Sequence, residues 1–240
     1  MKKLVKNFLN TKGYTLKKKQ ITDDVHDVLK MLIKKESLII DIGAHNGESA
    51  LKFREVFPYS LIYSFEPFFD SFEILVENLK DTDDVEAINK GICDVDEKKY
   101  FNINAGSPTN SLLKLDDTAK DTWNHNGLTH LKTIECDFCK LDTFLEERAI
   151  TSIDLLKIDA QGSEYLVLKG AKKALIEKKI NVIYMEIILG DTYVGQKSFE
   201  YYLATLKEYG YYLQGMYNFA YSDDNILIQL DAVFIHNKSK

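Results

Sequence analysis

The chain has 240 residues, and with 45% hydrophobic and 28% charged residues its composition is that of a folded globular protein, not of a disordered one. This length supports one large core and is short for two full domains. The formal net charge of −6 at pH 7 argues against nucleic acid as a partner, because duplex-binding domains usually carry a surplus of basic residues.

Basic residues are concentrated at the start of the chain, where residues 1–19 contain seven lysines and no acidic residue. One interpretation is peripheral contact with an anionic membrane surface or glycolipid. The other, which we favour, is a helix that packs its apolar residues on the protein. We predict a basic helical extension over residues 1–36 and a domain over residues 37–240. No apolar run reaches the roughly 18 residues of a membrane span and no secretory signal is recognisable, so we expect a cytoplasmic location.

From residue 37 onward, short apolar runs alternate with amphipathic stretches. The pattern predicts strands at 37–42, 61–65, 85–88, 153–158 and 182–186, and helices at 47–57, 69–80, 163–178 and 198–209. Repeated strand–helix units indicate an α/β fold with a parallel sheet and helices on both faces. Two final strands, 211–217 and 226–235, are joined by a tight link and are predicted to form an antiparallel pair, which a plain dehydrogenase sheet lacks.

The pattern changes over residues 91–140, where short alternating stretches are separated by turn signals. We predict a β-hairpin insertion there. Its Cys136 and Cys139 form a lone CxxC without a second ligand pair, so we interpret them as reduced, partly buried thiols. His125 and His130 also lie in this insertion and are expected to be solvated.

The turn after the first strand predicts a nucleoside cofactor site. Gly43 lets the backbone approach a ligand, and Gly47 opens the next helix with its free N–H groups. Glu66 follows 23 residues after Gly43, at the end of the second strand, where a carboxylate accepts hydrogen bonds from a ribose; its alternative role is capping the second helix. His45 leaves little room for a pyrophosphate, and Asp41 suits the amino group of a methionine moiety. Together they favour S-adenosylmethionine over NAD.

A second group of polar residues follows the strand at 153–158. Asp159 stands where this strand meets the sheet edge, Glu164 in the first turn of the next helix, and Glu186 at the end of the following strand. If the two strands are neighbours, about 4.8 Å apart, Asp159 and Glu186 converge and require a shared proton, a cation or a metal. We predict a substrate-orienting and base site, with Mg²⁺ bound by Asp159 and Glu186 as one option. The alternative is helix capping by Asp159 and a structural pairing of Glu186.

Several stretches of the chain resemble the FkbM-type methyltransferases. The matching stretches are IIDIGAHNGESA at 39–50, IYSFEPF at 62–68, EAINKGICD at 86–94, LDTFLEE at 141–147, IDLLKIDAQGSEYLVLKGA at 153–171 and DAVFIHN at 231–237. The resemblance covers residues 37–236 and is most specific in the D-x-Q-G-x-E core, which is carried by Asp159, Gln161, Gly162 and Glu164. Many members have Glu where Gln161 stands, so Gln161 is expected to orient groups and not to act as a base.

The resemblance implies a Rossmann-like, seven-stranded class I fold that uses S-adenosylmethionine to methylate oxygen, often of a sugar in a surface polysaccharide or of a natural product. It implies that the methionine side is lined by Asp41, Gly43, His45, Asn46 and Gly47. It further implies that Glu66 holds the ribose and that Asn89, Lys90, Asn110 and Ser111 lie near the adenine.

We therefore expect methyl transfer to a hydroxyl of a small-molecule or glycan acceptor, with Asp159 as base or metal ligand, Glu186 as its partner, and Gln161 and Glu164 as orienting groups. The sequence barely separates O- from N-methylation. An NAD-dependent oxidoreductase and a binding protein without activity are the more distant alternatives, and the oligomeric state is open.

Overall fold

The computed structural model describes residues 24–123 and 127–236. Its strands in this part of the chain are β1 (Leu38–Ile42), β2 (Leu61–Phe65), β3 (Val85–Ile88), β4 (Gly91–Ile92), β5 (Lys98–Asn104), β6 (His130–Cys139), β7 (Ile153–Ile158), β8 (Ile180–Ile188), β9 (Tyr211–Tyr221) and β10 (Leu227–His236). Its α-helices are α1 (Val25–Leu32), α2 (Glu48–Val56), α3 (Phe69–Leu79), α4 (Ala119–Trp123), α5 (Leu141–Glu147), α6 (Glu164–Gly170), α7 (Lys172–Ile176) and α8 (Phe199–Glu208).

The main sheet has seven strands in the order β3-β2-β1-β7-β8-β10-β9. The first five of these are parallel, and β10 pairs antiparallel with both β8 and β9. The structure therefore confirms the predicted sheet and its final antiparallel pair. Because the direction of the connections reverses on either side of β1 and β7, the carboxyl ends of these strands form the crevice in which open α/β sheets bind ligands.

Helices cover both faces of this sheet, as predicted. On one face, α5, α6, α7 and α8 pack on inward residues of the strands, among them the fully buried Leu156 and Ile183. On the other face lie α1, α2 and α3, and the apolar side of α1 packs against Phe53 and Phe57. The parallel strands are apolar on both sides because both sides are covered.

The insertion is a smaller sheet in the order β4-β6-β5, in which β5 and β6 form the predicted antiparallel pair. Between them lie a 3₁₀ turn, Ser107–Thr109, and α4, neither of which the alternating sequence pattern predicted. All three cysteines of the chain are free and buried. Burial raises the pKa of Cys136 and Cys139 to about 11, in agreement with their interpretation as inert thiols.

Some element boundaries differ from the prediction. The predicted helix 163–178 is divided at Ala171 into α6 and α7, next to Gly170, whose Cβ position would lie 1.8 Å from the carbonyl oxygen of Cys93. Glycine favours a helix break, and this one lets the chain approach Cys93 closely. Strands β8 and β9 are longer than predicted, and α5 was not predicted.

The basic segment 1–19 and its predicted membrane contact lie outside the described residues, as does His125. Of the predicted extension 1–36, the structure describes α1, and the boundary at residue 36 stays a prediction. No helix among residues 24–123 and 127–236 is long and apolar enough to cross a membrane.

Candidate active site

A cavity of about 790 Å³ opens at the carboxyl edge of the main sheet. Its walls come from the turns after β1, β2 and β7, from strands β8 and β10, from the insertion, and from α1 and α2. Eight of the predicted site residues line it: Gly43, His45, Asn46, Glu66, Asn110, Asp159, Gln161 and Glu186. The two polar groups that the sequence placed 93 or more residues apart, 41–66 and 159–186, thus share one space.

The turn after β1 lies directly against the turn after β7. Asp159 donates its backbone N–H to the carbonyl oxygen of Ile42 at 3.1 Å. Gly43 has a φ of +74°, and a Cβ there would lie 1.8 Å from the carbonyl oxygen of Asp159. Only glycine fits this position, since it tolerates both the left-handed conformation and the close approach. Gly43 therefore sets the distance between the two halves of the site.

Asp41 is fully buried beneath this turn and does not reach the cavity. Its carboxylate is 3.1 Å from Nζ of Lys157 and accepts a hydrogen bond of 3.0 Å from Ser49. Lys157 also donates to the carbonyl oxygen of Gly43 at 3.0 Å and lies 3.4 Å from Asp159. Burial lowers the pKa of Lys157, but the charges of Asp41 and Asp159 outweigh it and the net pKa is raised, so the ammonium stays charged. The predicted contact of Asp41 with a methionine amino group is therefore corrected: this charge is already paired with Lys157.

Glu66 is 6% exposed and holds the turns after β1 and β2 together. Its carboxylate accepts hydrogen bonds from the backbone N–H of His45 at 3.0 Å and of Phe68 at 2.9 Å. Burial raises the pKa of Glu66 to about 7, although these two hydrogen bonds act in the opposite direction. Glu66 contacts the start of the second helix, as the capping alternative requires, and it also faces the cavity.

His45 connects the first turn to the insertion. Its backbone has a φ of +48°, which is uncommon for a non-glycine residue, and its Nε2 shares a hydrogen bond of 2.9 Å with Oγ of Ser107. Ser107 is also 3.2 Å from Oγ of Ser71. Partial burial lowers the pKa of His45, which favours the neutral ring at neutral pH. The 3₁₀ turn of the insertion is thereby attached to the rim of the cavity.

Asp159 and Glu186 converge as predicted, but an amide separates them. Nε2 of Gln161 donates to Oδ1 of Asp159 at 2.9 Å and to Oε2 of Glu186 at 2.7 Å. Both hydrogens of this amide are therefore used, one for each carboxylate. Burial, followed by the charge of Asp159, raises the pKa of Glu186 well above its ordinary value. Glu186 thus holds a proton more readily than an ordinary glutamate.

Tyr193, which the sequence analysis missed, fixes the orientation of Gln161. It is 3% exposed, and its hydroxyl lies 3.0 Å from Oε1 of Gln161 and 2.8 Å from the carbonyl oxygen of Thr109. Its ring packs against Gly162. The sequence signal was weak, since Tyr193 lies in a loop between β8 and α8 and is one of 14 tyrosines.

The far wall of the cavity consists of residues that the sequence analysis did not connect with the site. Nε2 of Gln229 donates to Oε1 of Glu186 at 2.6 Å. Asp231 is paired with Glu186 across β8 and β10 and accepts a hydrogen bond of 2.6 Å from the Tyr184 hydroxyl. The sequence does place polar residues at alternate positions of the last strand. It does not show which strand β10 pairs with, so the contact with Glu186 could not be predicted.

The remaining predicted site residues lie outside the cavity, with identifiable structural contacts: Asp41, Gly47, Asn89, Lys90, Ser111 and Glu164. Glu164 is 1% exposed and accepts hydrogen bonds from the backbone N–H groups of Ala160 and Gly162, so it stabilises the 160–162 turn and does not face a substrate. Burial raises its pKa to about 7.

Three of these residues are equally structural. Asn89 donates to the carbonyl oxygen of Glu66 at 2.9 Å, Ser111 donates to that of Gln161 at 2.7 Å, and Gly47 is the N-cap of α2 with a φ of +91°. Lys90 is exposed. The structure therefore does not bring Asn89, Lys90 or Ser111 to the cavity wall near an adenine, although the first and third support residues that line it.

The geometry does not support magnesium at Asp159 and Glu186. Each carboxylate oxygen already faces a donor or a cation: Gln161 for two of them, Gln229 for the third, and Lys157 for the fourth. In the described part of the chain, no three or more His, Cys, Asp or Glu side chains group as metal ligands. The amide of Gln161 supplies the positive dipole that a cation would supply between two carboxylates. His130 is exposed on β6 and does not line the cavity.

Most of the chain resembles one family of known proteins. Residues 41–213 match the family model of the FkbM methyltransferase domain. The chain is 27% identical over 173 residues to the 2-O-methyltransferase NoeI of Sinorhizobium fredii, which covers 70% of each sequence.

Among solved structures, two resemble the fold. A Clostridium thermocellum protein assigned as an rRNA methylase aligns with a TM-score of 0.52 and 14% identity, over 92% of this chain and 99% of that one. TrmK of M. capricolum, solved with S-adenosyl-homocysteine, aligns with a TM-score of 0.50 and 14% identity, over 89% of this chain and 68% of that one. At these identities the likeness concerns the fold alone.

Proposed function

Because the chain belongs to the FkbM methyltransferase family, we propose that it transfers a methyl group from S-adenosylmethionine to a hydroxyl group of a sugar. Dependence on S-adenosylmethionine follows from the family. The hydroxyl and the sugar are our proposal, which the resemblance to a 2-O-methyltransferase supports. The family match gives no support to the NAD-dependent oxidoreductase considered as an alternative.

One observation carries the proposal: the cavity joins the buried acid Glu66 to the Asp159–Gln161–Glu186 group. The first suits a ribose, and the second suits a hydroxyl that must lose a proton. The side chain of Asp159 is 30% exposed, so it is accessible from the cavity, whereas Glu186 is more deeply placed. A general base must reach the proton that it accepts, and Asp159 meets this condition.

The residues present fit S-adenosylmethionine. Glu66 is a buried carboxylate at the end of β2, and Oδ1 of Asn46 is a buried oxygen without a hydrogen-bond partner in the described chain. We propose that Glu66 accepts hydrogen bonds from the ribose hydroxyls and that Asn46 accepts one from the amino group of the methionine moiety. When bound, the cofactor supplies an electrophilic methyl carbon attached to sulfur. His45 and Gly43 shape the turn beneath it.

In the proposed mechanism, Oδ2 of Asp159 accepts the proton of the acceptor hydroxyl. Gln161 holds Oδ1 of the same carboxylate, so the side chain presents Oδ2 to the cavity. Lys157 places a positive charge 3.4 Å from Oδ2. Glu186 retains its own proton more readily than an ordinary glutamate and anchors the other side of Gln161. In this cluster Asp159 is the proposed base and Glu186 is the acid that supports it through Gln161.

Calorimetry and methyl transfer test the proposal. We expect the purified protein to bind S-adenosylmethionine and S-adenosylhomocysteine but not NAD, and to transfer a labelled methyl group to sugar hydroxyls. Sugars that carry a hydroxyl group and matched sugars that carry an amino group are offered in the same assay. Analysis of the products then shows whether oxygen or nitrogen is methylated. Preferential binding of NAD, or methyl groups found only on nitrogen, would contradict the proposal. Activity retained in excess chelator is expected, since the carboxylate oxygens are already occupied.

Location and partners remain part of the proposal. We infer a cytoplasmic enzyme that acts on a small-molecule or glycan acceptor, with peripheral membrane contact through the basic N-terminus as an open hypothesis. The acidic net charge still argues against nucleic acid.

A further inference from the structure

Part of the cavity wall is formed by residues far in the chain from the turns that surround Glu66. We call it the acceptor lobe and define it by His26, Phe53, Tyr184, Gln229 and Asp231. These residues come from α1, α2, β8 and β10. Gln229 contacts Glu186 and Asp231 is paired with it, so the lobe adjoins the Asp159–Gln161–Glu186 group. A methyl acceptor must approach from a side that the cofactor leaves free.

Two side chains of this lobe are held by hydrogen bonds and keep an oxygen without a donor in the described chain. Oδ2 of Asp231 accepts from the Tyr184 hydroxyl at 2.6 Å and from Nδ2 of Asn218 at 2.7 Å, while Oδ1 accepts no hydrogen bond from the described residues. Gln229 uses Nε2 to contact Glu186, and its Oε1 likewise has no donor in the described chain. Hydroxyl groups are the natural complement of such acceptors.

The described part of the cavity wall is rich in acidic side chains and poor in cations, which disfavours a phosphate group. Among the described residues, Lys157 is the sole lysine or arginine in the cavity wall, and its charge is already shared by Asp41 and Asp159. Five acidic side chains line the same space: Glu48, Glu66, Asp159, Glu186 and Asp231. A phosphate or diphosphate requires a free cation or several N–H donors, and the described wall provides neither.

We propose that the acceptor lobe binds a sugar unit that carries hydroxyl groups and no phosphate, and that Gln229 and Asp231 determine which acceptor is methylated. This inference rests on the proposed function. It means that the substrate is a glycosidically linked sugar and not its nucleoside diphosphate. A glycosyl transfer must therefore precede the methylation.

Matched acceptors provide the first test. Labelled methyl transfer is measured with methyl glycosides of hexoses, 6-deoxyhexoses and N-acetylhexosamines, and with the nucleoside diphosphates of the same sugars. We expect kcat/KM for the glycoside to exceed that for its nucleotide by about tenfold or more, because the diphosphate would lie beside carboxyl groups and meet no free cation on the described wall. A preference for the nucleotide would overturn this inference alone. Failure to bind S-adenosylhomocysteine would contradict the proposed function. If the protein binds S-adenosylhomocysteine but methylates neither the glycosides nor the sugar nucleotides, both the proposed function and this inference are overturned.

Variants of the lobe provide the second test. Asp231→Asn and Gln229→Leu are each expected to raise KM for the glycoside about tenfold, since each loses a hydrogen bond to the acceptor. Asp231→Asn, which leaves the contacts of Glu186 with Gln161 and Gln229 in place, is expected to leave kcat nearly unchanged. The dissociation constant of S-adenosylhomocysteine serves as the folding control and is expected to stay within about twofold. Asp224→Asn, at an exposed aspartate between β9 and β10, is the matched control with unchanged KM. An unchanged KM in both lobe variants would contradict the proposal.

Discussion

Asp159 is the side chain to which the mechanism gives the proton, and Asp159→Asn tests that role. The asparagine keeps the shape of the side chain but has no basic oxygen, so we expect kcat to fall by about 10²- to 10⁴-fold. Binding of S-adenosylhomocysteine, measured by calorimetry, is expected to change little because Glu66 and Asn46 are untouched. Asp83→Asn is the control, as Asp83 is exposed. Turnover at the level of the parent protein would remove Asp159 from the mechanism.

Glu66 gives cofactor affinity a pH dependence. Its pKa is raised from 4.5 to about 7 in the folded protein, so the ionised form, which we propose accepts two ribose hydroxyls, is lost as the pH falls through 7. We expect the dissociation constant of S-adenosylhomocysteine to rise by up to about tenfold per pH unit below 7. Calorimetry at pH 6, 7 and 8 measures this, and Glu66→Gln is expected to bind weakly at every pH.

The same group acts on folding with the opposite sign. A carboxyl whose pKa is higher in the folded state stabilises the fold below its ordinary pKa of 4.5, and this contribution is lost as the pH rises through 7. The ligand-free protein therefore gains stability from Glu66 on acidification while cofactor binding weakens. If cofactor affinity and the stability of the ligand-free protein both decrease as the pH falls, general unfolding, and not protonation of Glu66, causes the loss of binding.

At Gln161 we expect the charge of a substituted side chain, and not its size, to determine how much stability is lost. Gln161→Glu replaces the donor between Asp159 and Glu186 by a third carboxylate at about the same distance. We expect the melting temperature to fall more at pH 8 than at pH 6, because the like charges are relieved by protonation. Gln161→Leu removes the donors without adding charge, so its loss of stability is expected to depend less on pH. An equal loss at both pH values in Gln161→Glu would contradict the arrangement.

The turn after β1 is set by contact between two elements, and a pair of glycines tests it. Gly43→Ala adds a Cβ 1.8 Å from the Asp159 carbonyl oxygen, which forces the turns after β1 and β7 apart. Gly195→Ala meets no atom within 4 Å at a similar φ of +86°. We expect Gly43→Ala to abolish cofactor binding and Gly195→Ala to cost only backbone strain, about 1–2 kcal/mol of unfolding free energy. Equal effects in thermal unfolding and calorimetry would refute steric control by Gly43.

The sequence predicts the helices and strands better than it predicts the contacts within the site. Strand β1 and its turn were predicted because apolar runs and glycines are local signals. The position of Glu186 beside Asp159 was predicted because parallel neighbours share one sheet edge. By contrast, the Lys157–Asp41 pair, the contact of Tyr193 with Gln161 and the approach of β10 to β8 depend on register between distant segments, which no local pattern encodes. Asp41 was misjudged for this reason: its partner stands 116 residues away.

Helix α1 packs on the main domain, although it lies before the predicted domain boundary at residue 36. Leu29 is fully buried in one cluster with Phe53 and Phe57. We expect Leu29→Ala to lower the unfolding free energy by about 2–5 kcal/mol. Met31→Ala, at a side chain that is 71% exposed, is expected to change it by less than about 0.5 kcal/mol. Denaturant titration distinguishes the two, and a small effect of Leu29→Ala would support an independent extension.

Strand order has a consequence for how the molecule is made. Because β10 lies between β8 and β9, the edge of β8 stays unpaired on the ribosome until residues beyond 226 have been synthesised. Gly43 and Glu66 emerge early, whereas Gln229 and Asp231 emerge some 160 residues later. A nascent chain that ends before β10 therefore already carries Gly43 and Glu66 but still lacks the strand that brings Gln229 and Asp231 beside Glu186.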